Sequence, residues 1–246
     1  MEVITSLENS KVKYWNKLHN KKNRDEEGLF LIEGDHLINE AIKKNIIKEL
    51  IVLENNPCNL EYPINYVTKD ILNKISSMES SPNIMAICHK LEEQELGNKI
   101  LLLDDIQDPG NLGTIIRSAV AFNYDTVVLS TESVDLYNDK VIRSTEGMLF
   151  HLNVIRKDLN NLIPELKKNS YKIYGTKVDG GKLLKEVKIS TKFAILIGNE
   201  GRGVSNELLK LCDEYTYIPI SDICESLNVG VATGIIMYEL GGKYNN

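Results

Sequence analysis

The 246-residue sequence has no apolar run approaching the roughly 18 residues needed to cross a bilayer, so no membrane span is expected. Its first residues, Met1-Glu-Val-Ile-Thr-Ser6, carry neither a basic start nor a long apolar stretch, and no secretory signal is expected. The four cysteines, Cys58, Cys88, Cys212 and Cys224, contain no CxxC pair. Reduced thiols and a cytoplasmic setting are therefore expected rather than a disulfide framework. His19, His36, His89 and His151 are scattered, with Cys88-His89 the one Cys/His adjacency, so no metal is expected. A Walker-type phosphate loop is missing. Gly198-Asn-Glu-Gly-Arg-Gly203 lacks a glycine two residues after its first and comes late in the chain, so the dinucleotide fingerprint fails too. Both absences argue against a nucleotide-binding oxidoreductase. The formal net charge of −6 excludes a uniformly basic surface, so contact with nucleic acid has to be local.

Hydrophobic residues make up 42% of the chain and charged residues 26%, enough to bury a substantial core. Strand-like and helix-like segments alternate, which points to an α/β protein. Residues 1–92 read as a small α/β domain, with strands over Gly28–Glu33, Ile46–Leu53, Ile64–Val67 and Ile84–Cys88 and with Asp35 and Thr68 as helix caps. The polar stretch Leu91–Lys99 separates it from a second domain over residues 98–246. One basic run stands out. Lys11, Lys13, Lys17, Lys21, Lys22 and Arg24 follow one another with no acid between them, and the only tryptophan, Trp15, lies inside the run. It reads either as a solvated helix face or as a surface that contacts phosphates.

In the second domain, Ile100–Leu103 and Phe193–Ile197 are continuous apolar runs, as expected of strands buried on both faces. The first leads into the loop Asp104–Gly113 and a helix from Thr114 to about Phe122. This places Asn111 just ahead of the helix and turns Arg117 away from its apolar face. The second leads into the glycine-rich loop Gly198–Ser205. The chain closes on Tyr217–Gly234, read as a short strand Tyr217–Ile220, a polar loop, and a helix opened by Ser226 and running to about Leu240. Asn111 and Arg117 have ordinary structural readings as well, a turn residue and a solvated helical arginine.

Three segments taken together resemble the motifs of the SpoU/TrmH family of RNA ribose 2′-O-methyltransferases, in the SPOUT superfamily. They are Asp108-Pro-Gly-Asn-Leu-Gly-Thr-Ile-Ile-Arg-Ser-Ala119, Ile197-Gly-Asn-Glu-Gly-Arg-Gly203, and Ile218-Pro-Ile220 with Glu225-Ser-Leu-Asn-Val229. Arg24 and Phe30-Leu-Ile-Glu-Gly34 resemble the RNA substrate-binding domain of the same family, so the likeness spans nearly the whole chain. Gly230 and Thr145 stand where serines are usual, and both remain small.

The resemblance implies a C-terminal α/β trefoil-knot methyltransferase domain preceded by a small ribosomal-protein-like RNA-binding domain, and a homodimer formed through the knotted domain. It implies S-adenosyl-L-methionine as cofactor, held largely by backbone groups of Thr176, Lys177 and Val178, of Gly198, Asn199 and Gly201, of Ile218, Pro219 and Ile220, and of Leu227, Asn228 and Val229. Arg117 is implied as the central catalytic residue, acting within its own chain or across the dimer. Asn111 would position the nucleotide, Glu200 and Asn228 would orient Arg117 and the ribose, and Ser226 would support them. Lys11, Lys13, Lys21, Lys22 and Arg24 are the candidate RNA contacts. Ribosomal RNA, 23S in particular, is favoured over transfer RNA as substrate. The alternative is a non-catalytic RNA-binding or ribosome-assembly factor on the same fold.

Overall fold

A computed structural model of the protein describes residues 3–241 and divides into two compact units. The first holds residues up to Glu92 together with Asp135–Phe150. Its elements in chain order are β1 (Val3–Ile4), α1 (Ser10–Lys17), α2 (Lys21–Glu27), β2 (Leu29–Glu33), α3 (Asp35–Lys43), β3 (Ile47–Leu53), β4 (Ile64–Val67), α4 (Lys69–Ile75) and β5 (Ile84–His89). They form a mixed five-stranded sheet in the order β1-β4-β3-β5-β2. β1, β4 and β3 run parallel, and β5 is antiparallel to both β3 and β2. Asn9 caps α1 by accepting from the Lys11 amide, and Asn20 does the same for α2 through Lys22. The cap of α3 is Gly34 rather than Asp35, which is the first helical residue and places its carboxylate near the positive end of the helix.

The second unit contains β6 (Lys99–Leu103), α5 (Pro109–Ala121), β7 (Thr126–Leu129), then α6 (Asp139–Ser144, which belongs with the first unit), β8 (Asn153–Arg156), α7 (Leu159–Lys168), β9 (Lys172–Thr176), β10 (Lys182–Leu183), β11 (Phe193–Ile197), α8 (Asn206–Leu209), β12 (Glu214–Tyr217) and α9 (Val229–Leu240). Its seven-stranded sheet runs β10-β12-β9-β11-β6-β7-β8, and every neighbouring pair is parallel. The central strands are apolar, β11 throughout and β6 from Ile100 onward, because helices cover both faces of such a sheet. One core packs Ile100, Leu102, Val128, Ala194 and Leu196 against Leu159, Ile163 and Leu166 of α7. No helix among the described residues is long and apolar enough to cross a membrane.

Within the first unit the basic run takes a different form from the expected phosphate face. Val12, Trp15 and Leu18 point inward and pack with Ile71, Leu72 and Ile75 of α4. Trp15 is fully buried, its indole N–H donating to Glu49 Oε1 at 3.0 Å. Acids missing from the run in sequence are supplied in space: Lys13 pairs with Glu8 at 2.6 Å, and Tyr14 donates to Glu27 at 3.0 Å. Arg24 corrects the expectation most sharply. It is 3% exposed, donates to the Leu18 carbonyl at 2.7 Å and pairs with Asp135. A guanidinium so enclosed cannot reach a phosphate; it fastens Asp135–Phe150 into this unit. Phe30 sits against the rings of Tyr137 and Phe150 in the same place, and His19 bonds Asp139 Oδ2 at 2.8 Å. The Asp139 carboxylate raises the His19 pKa against the opposing effect of burial.

Replacing Arg24 by Ala would leave the Asp135 carboxylate without its partner in a mostly buried position. Stability should fall by about 3 kcal/mol, the usual scale for breaking a buried pair, as read from urea unfolding. An unchanged midpoint would return Arg24 to the surface.

Candidate active site

The strand order places a switch point at the centre of the second unit's sheet. From β6 the chain moves outward through β7 to β8, then returns to the other side for β9, β11 and β12. In open parallel sheets such a reversal leaves a crevice at the carboxyl ends of the strands. The segments that follow β6, β9, β11 and β12 all start there, and with the last residue of β9, Thr176, and the helices α5 and α9 they contain every candidate catalytic and cofactor residue.

A directed chain of hydrogen bonds joins three of these segments. Asn228 caps α9, its Oδ1 accepting from the Val231 amide at 3.2 Å. That fixes the orientation of its amide, and Nδ2 donates to Asn111 Oδ1 at 2.9 Å. Asn111 Nδ2 in turn donates to Glu200 Oε1 at 3.2 Å. Glu200 also accepts from the backbone amides of Gln107 at 3.4 Å and Asp108 at 3.2 Å. Burial alone would raise the Glu200 pKa, but hydrogen bonds from its own amide, Asn111, Asp108 and Gln107 outweigh that and hold it below the usual glutamate value. The carboxylate is thus kept ionised.

Asn111 owes its place to Asp108. The structure starts α5 at Pro109, five residues before the expected Thr114, so Asn111 lies inside the first turn and not ahead of it. Asp108 Oδ1 accepts from the Asn111 amide at 2.7 Å, and Pro109 fills the first helical position, where a missing N–H costs nothing. Glu200 is presented by a similar device. Asn199 donates from Nδ2 to the Asp105 carbonyl at 2.8 Å, while its Oδ1 accepts from the amides of Gly201 and Arg202. Arg202 pairs with the Asp105 carboxylate. Gly198 is needed for contact within the loop itself: a Cβ there would lie 2.0 Å from the backbone of Gly203 and Val204. Asn199 and Gly198 therefore brace the Glu200 turn.

Beside this junction lies a cleft of about 260 Å³. Its walls include Thr176 at the end of β9, Lys177 and Val178 after it, Ile218 and Ile220 after β12, Ser226 and Leu227, and Ala232 and Ile236 of α9. Six of the expected cofactor positions thus line one space; Gly198, Asn199, Gly201, Pro219, Asn228 and Val229 are not among its walls. Ser226 forms part of the wall rather than the cap of α9, and the last strand is Glu214–Tyr217, earlier than the expected Tyr217–Ile220. Tyr217, Glu225 and Ile236 were not among the candidate site residues read from the sequence, although Glu225 directly precedes Ser226 in the third motif.

Arg117 is exposed on α5 and makes no hydrogen bond or ion pair among the described residues. Glu200 and Asn228 therefore hold Asn111 and not Arg117. The helical repeat explains this: at roughly 100° per residue, Arg117 lies about a turn and two-thirds beyond Asn111 and points about 120° away from it around the axis. Of the candidate RNA contacts, Lys11, Lys13, Lys21 and Lys22 are exposed, although Lys11 Nζ donates to Asn65 at 2.6 Å.

Residues 98–238 match the model of the SpoU rRNA Methylase family. The chain belongs to that family. Residues 9–86 match the MRM3-like substrate binding domain. The chain is 42% identical, over 98% of its own length and 100% of the relative's, to the 23S rRNA (guanosine(2553)-2′-O)-methyltransferase RlmP of Bacillus subtilis. It is 31% identical to a TrmH family tRNA/rRNA methyltransferase of Staphylococcus saprophyticus, with 85% and 88% of the two chains covered. Among solved structures, an AdoMet-bound rRNA methyltransferase from Sinorhizobium meliloti superposes with a TM-score of 0.86 at 27% identity, covering 97% of this chain and 96% of that one. In this member of the SpoU family a glycine stands at position 230, where a Cβ would come within 3.3 Å of Thr114.

The two roles of Asn228 can be separated. Asn228→Ala removes the α9 cap and should cost about 1 kcal/mol of stability. Asn228→Asp keeps the capping oxygen but loses the donor to Asn111, so its unfolding midpoint should stay near that of the wild type. Equal destabilisation by both would show that the cap is not what Asn228 contributes.

Proposed function

We propose that this protein is an S-adenosylmethionine-dependent methyltransferase that modifies a ribose 2′-hydroxyl in 23S ribosomal RNA. The observation that carries the reading is the hydrogen-bonded meeting of Asn111, Glu200 and Asn228 beside a mostly apolar cleft, formed by three motif segments far apart in sequence. A ribosomal substrate puts the enzyme in the cytoplasm. The guanosine in the Bacillus subtilis relative's name is the first nucleotide to test.

The cleft fits the cofactor. Ile218, Leu227 and Ile236 offer apolar walls for a purine, and the strand ends Thr176–Val178 and Ile218–Ile220 bring backbone donors and acceptors to the same space. When bound there, S-adenosylmethionine supplies a methyl group activated by its sulfonium. The protein's own task is to place the 2′-hydroxyl in line and ease loss of its proton. Each end of the Asn111 amide has one hydrogen-bond partner, which leaves one N–H and one lone pair for the nucleotide. A guanidinium is a poor base, so Arg117 is not assigned that part. Its role in our reading is to grip the adjoining phosphate and stabilise negative charge developing on the ribose oxygen, an effect on the order of 3 kcal/mol in comparable sites. The candidate RNA contacts that remain at the surface are Lys11, Lys13, Lys21 and Lys22.

We also infer a trefoil knot at the carboxyl end and a homodimer. The knot rests on the family resemblance and on the return of α9 to pack beside α5. The dimer has an independent support. α9 exposes Val231, Ile235 and Tyr238, spaced four and three apart on one stripe, and Phe122 packs edge-on to Tyr238 at 5.8 Å. A contiguous apolar stripe of this kind is costly to leave in water. Arg117 lies on the exposed face of α5 with Thr114 and Ala121, where a second copy could bring it to that copy's cleft.

Two measurements test these readings. Arg117→Ala should lower methyl transfer to undermodified 23S RNA by at least about a hundredfold while cofactor affinity in calorimetry stays unchanged; full turnover would remove Arg117 from the chemistry. Ile235→Asp combined with Tyr238→Asp should convert a dimer to a monomer in sedimentation equilibrium, and a wild-type protein that sediments as a monomer would end the dimer reading.

A further inference from the structure

Asp105, the second residue after β6, stands at φ 60°, in the left-handed region that few side chains other than Asn and Asp enter. A glycine would adopt that conformation without cost. The side chain therefore has to be explained by what it holds. The Asp105 amide donates to Ser130 Oγ at 2.9 Å, and its carbonyl accepts from Asn199 Nδ2 at 2.8 Å. Of the carboxylate, Oδ1 accepts from Gln107 Nε2 and Oδ2 from Arg202 Nη2. These two partners stand on either side of Glu200. The Gln107 amide is one of its donors, and Arg202 lies two residues along its turn. The cavity of about 330 Å³ beside this clasp is lined by polar residues and glycine, Asp104, Glu132 and Ser205 among them. No apolar packing holds the two loops together there.

The bonds that Glu200 receives from the facing loop are long. Gln107 donates at 3.4 Å, Asp108 and Asn111 at 3.2 Å, against the usual 2.9 to 3.0 Å. Retreat of the Glu200 turn by a few tenths of an ångström would break them, so the separation of the two loops has to be set by a stronger contact. We propose that Asp105 is a positioning residue for the active site, its carboxylate drawing Gln107 and Arg202 together and so fixing the distance at which Glu200 meets Asn111. Asp105 is not among the walls of the cleft and acts through Glu200. Its bearing on turnover rests on the methyltransferase reading above; the clasp itself does not. The Arg202 side chain is 80% exposed, and a pair so open to solvent adds little to global stability. The effect of the pair falls on the register of the site and not on the fold.

Asp105→Asn tests this. Asn accepts the left-handed conformation and can still receive the Gln107 bond, but it lacks the charge that holds Arg202. Its urea midpoint and its S-adenosylmethionine affinity in calorimetry should match the wild type, while kcat on undermodified 23S RNA falls about fivefold, the upper end for an exposed pair. The titration of the Glu200 carboxyl, followed by carbon NMR and identified by its loss in Glu200→Gln, should move up toward the ordinary glutamate value as its donors recede. Arg202→Met should reproduce both changes, and Arg202→Lys, which keeps the charge, should be milder in both. The proposal is overturned by an unmoved Glu200 titration in Asp105→Asn, by an unchanged kcat in an active enzyme, or by shifts that appear only with a lowered unfolding midpoint. A moved titration in a protein whose wild type transfers no methyl group would keep the clasp and remove the methyltransferase reading. An active wild type with an unmoved titration would do the reverse.

Discussion

The site depends on the direction of one hydrogen-bond chain. Carboxamides can present either end to a neighbour, so a contact between two of them settles nothing about which atom faces a substrate. Here both ends of the chain are anchored. At one end the Val231 amide of α9 can only donate, which turns Asn228 Oδ1 toward it and Nδ2 toward Asn111. At the other end Glu200, kept ionised by backbone amides, can only accept, which turns Asn111 Nδ2 toward it. The two constraints agree, and the Asn111 amide has a single orientation. Three segments separated by roughly ninety and thirty residues are thereby held in register by groups whose polarity is set by backbone.

That arrangement also explains the loops around it. Asp108 and Asn199 each spend their side-chain oxygens on nearby backbone amides, fixing the turns from which Asn111 and Glu200 project. Turns held in this way are rigid without a large core beneath them, as a site at the open end of a parallel sheet requires. Glycine at position 198 has the same purpose, since any side chain there would separate the two limbs of the Glu200 turn.

Strands buried on both faces were the most legible part of the sequence. Phe193–Ile197 stands in the structure where its apolar run places it, because a two-sided burial leaves no polar residue to blur the ends. Helix starts were less legible. Pro109 and Gly110 read as loop residues, yet an Asp cap followed by Pro is also how a helix begins, and α5 uses the second meaning. The strand Glu214–Tyr217 was hidden by Glu214, whose charge is matched by Lys172 and Lys182, far away in sequence. Arg24 could not be read at all from its surroundings: its partner Asp135 is more than a hundred residues away. At the site, the motif pattern pointed to Asn111, Glu200 and Asn228 but could not say that they hold one another and leave Arg117 apart.

α9 shows why a strongly apolar helix resisted interpretation by periodicity. Its residues divide around the axis into three faces. Ala232 and Ile236 close the cleft, Val229, Thr233, Met237 and Leu240 are buried in the unit, and Val231, Ile235 and Tyr238 stand exposed. Two of these faces need apolar side chains for the fold and the cleft alone. The third, Val231, Ile235 and Tyr238, is needed by neither, and it is the face assigned above to the proposed dimer contact. One helix thus serves the cleft, the core and an exposed face, and the capping Asn228 at its start ties all three to the position of Asn111.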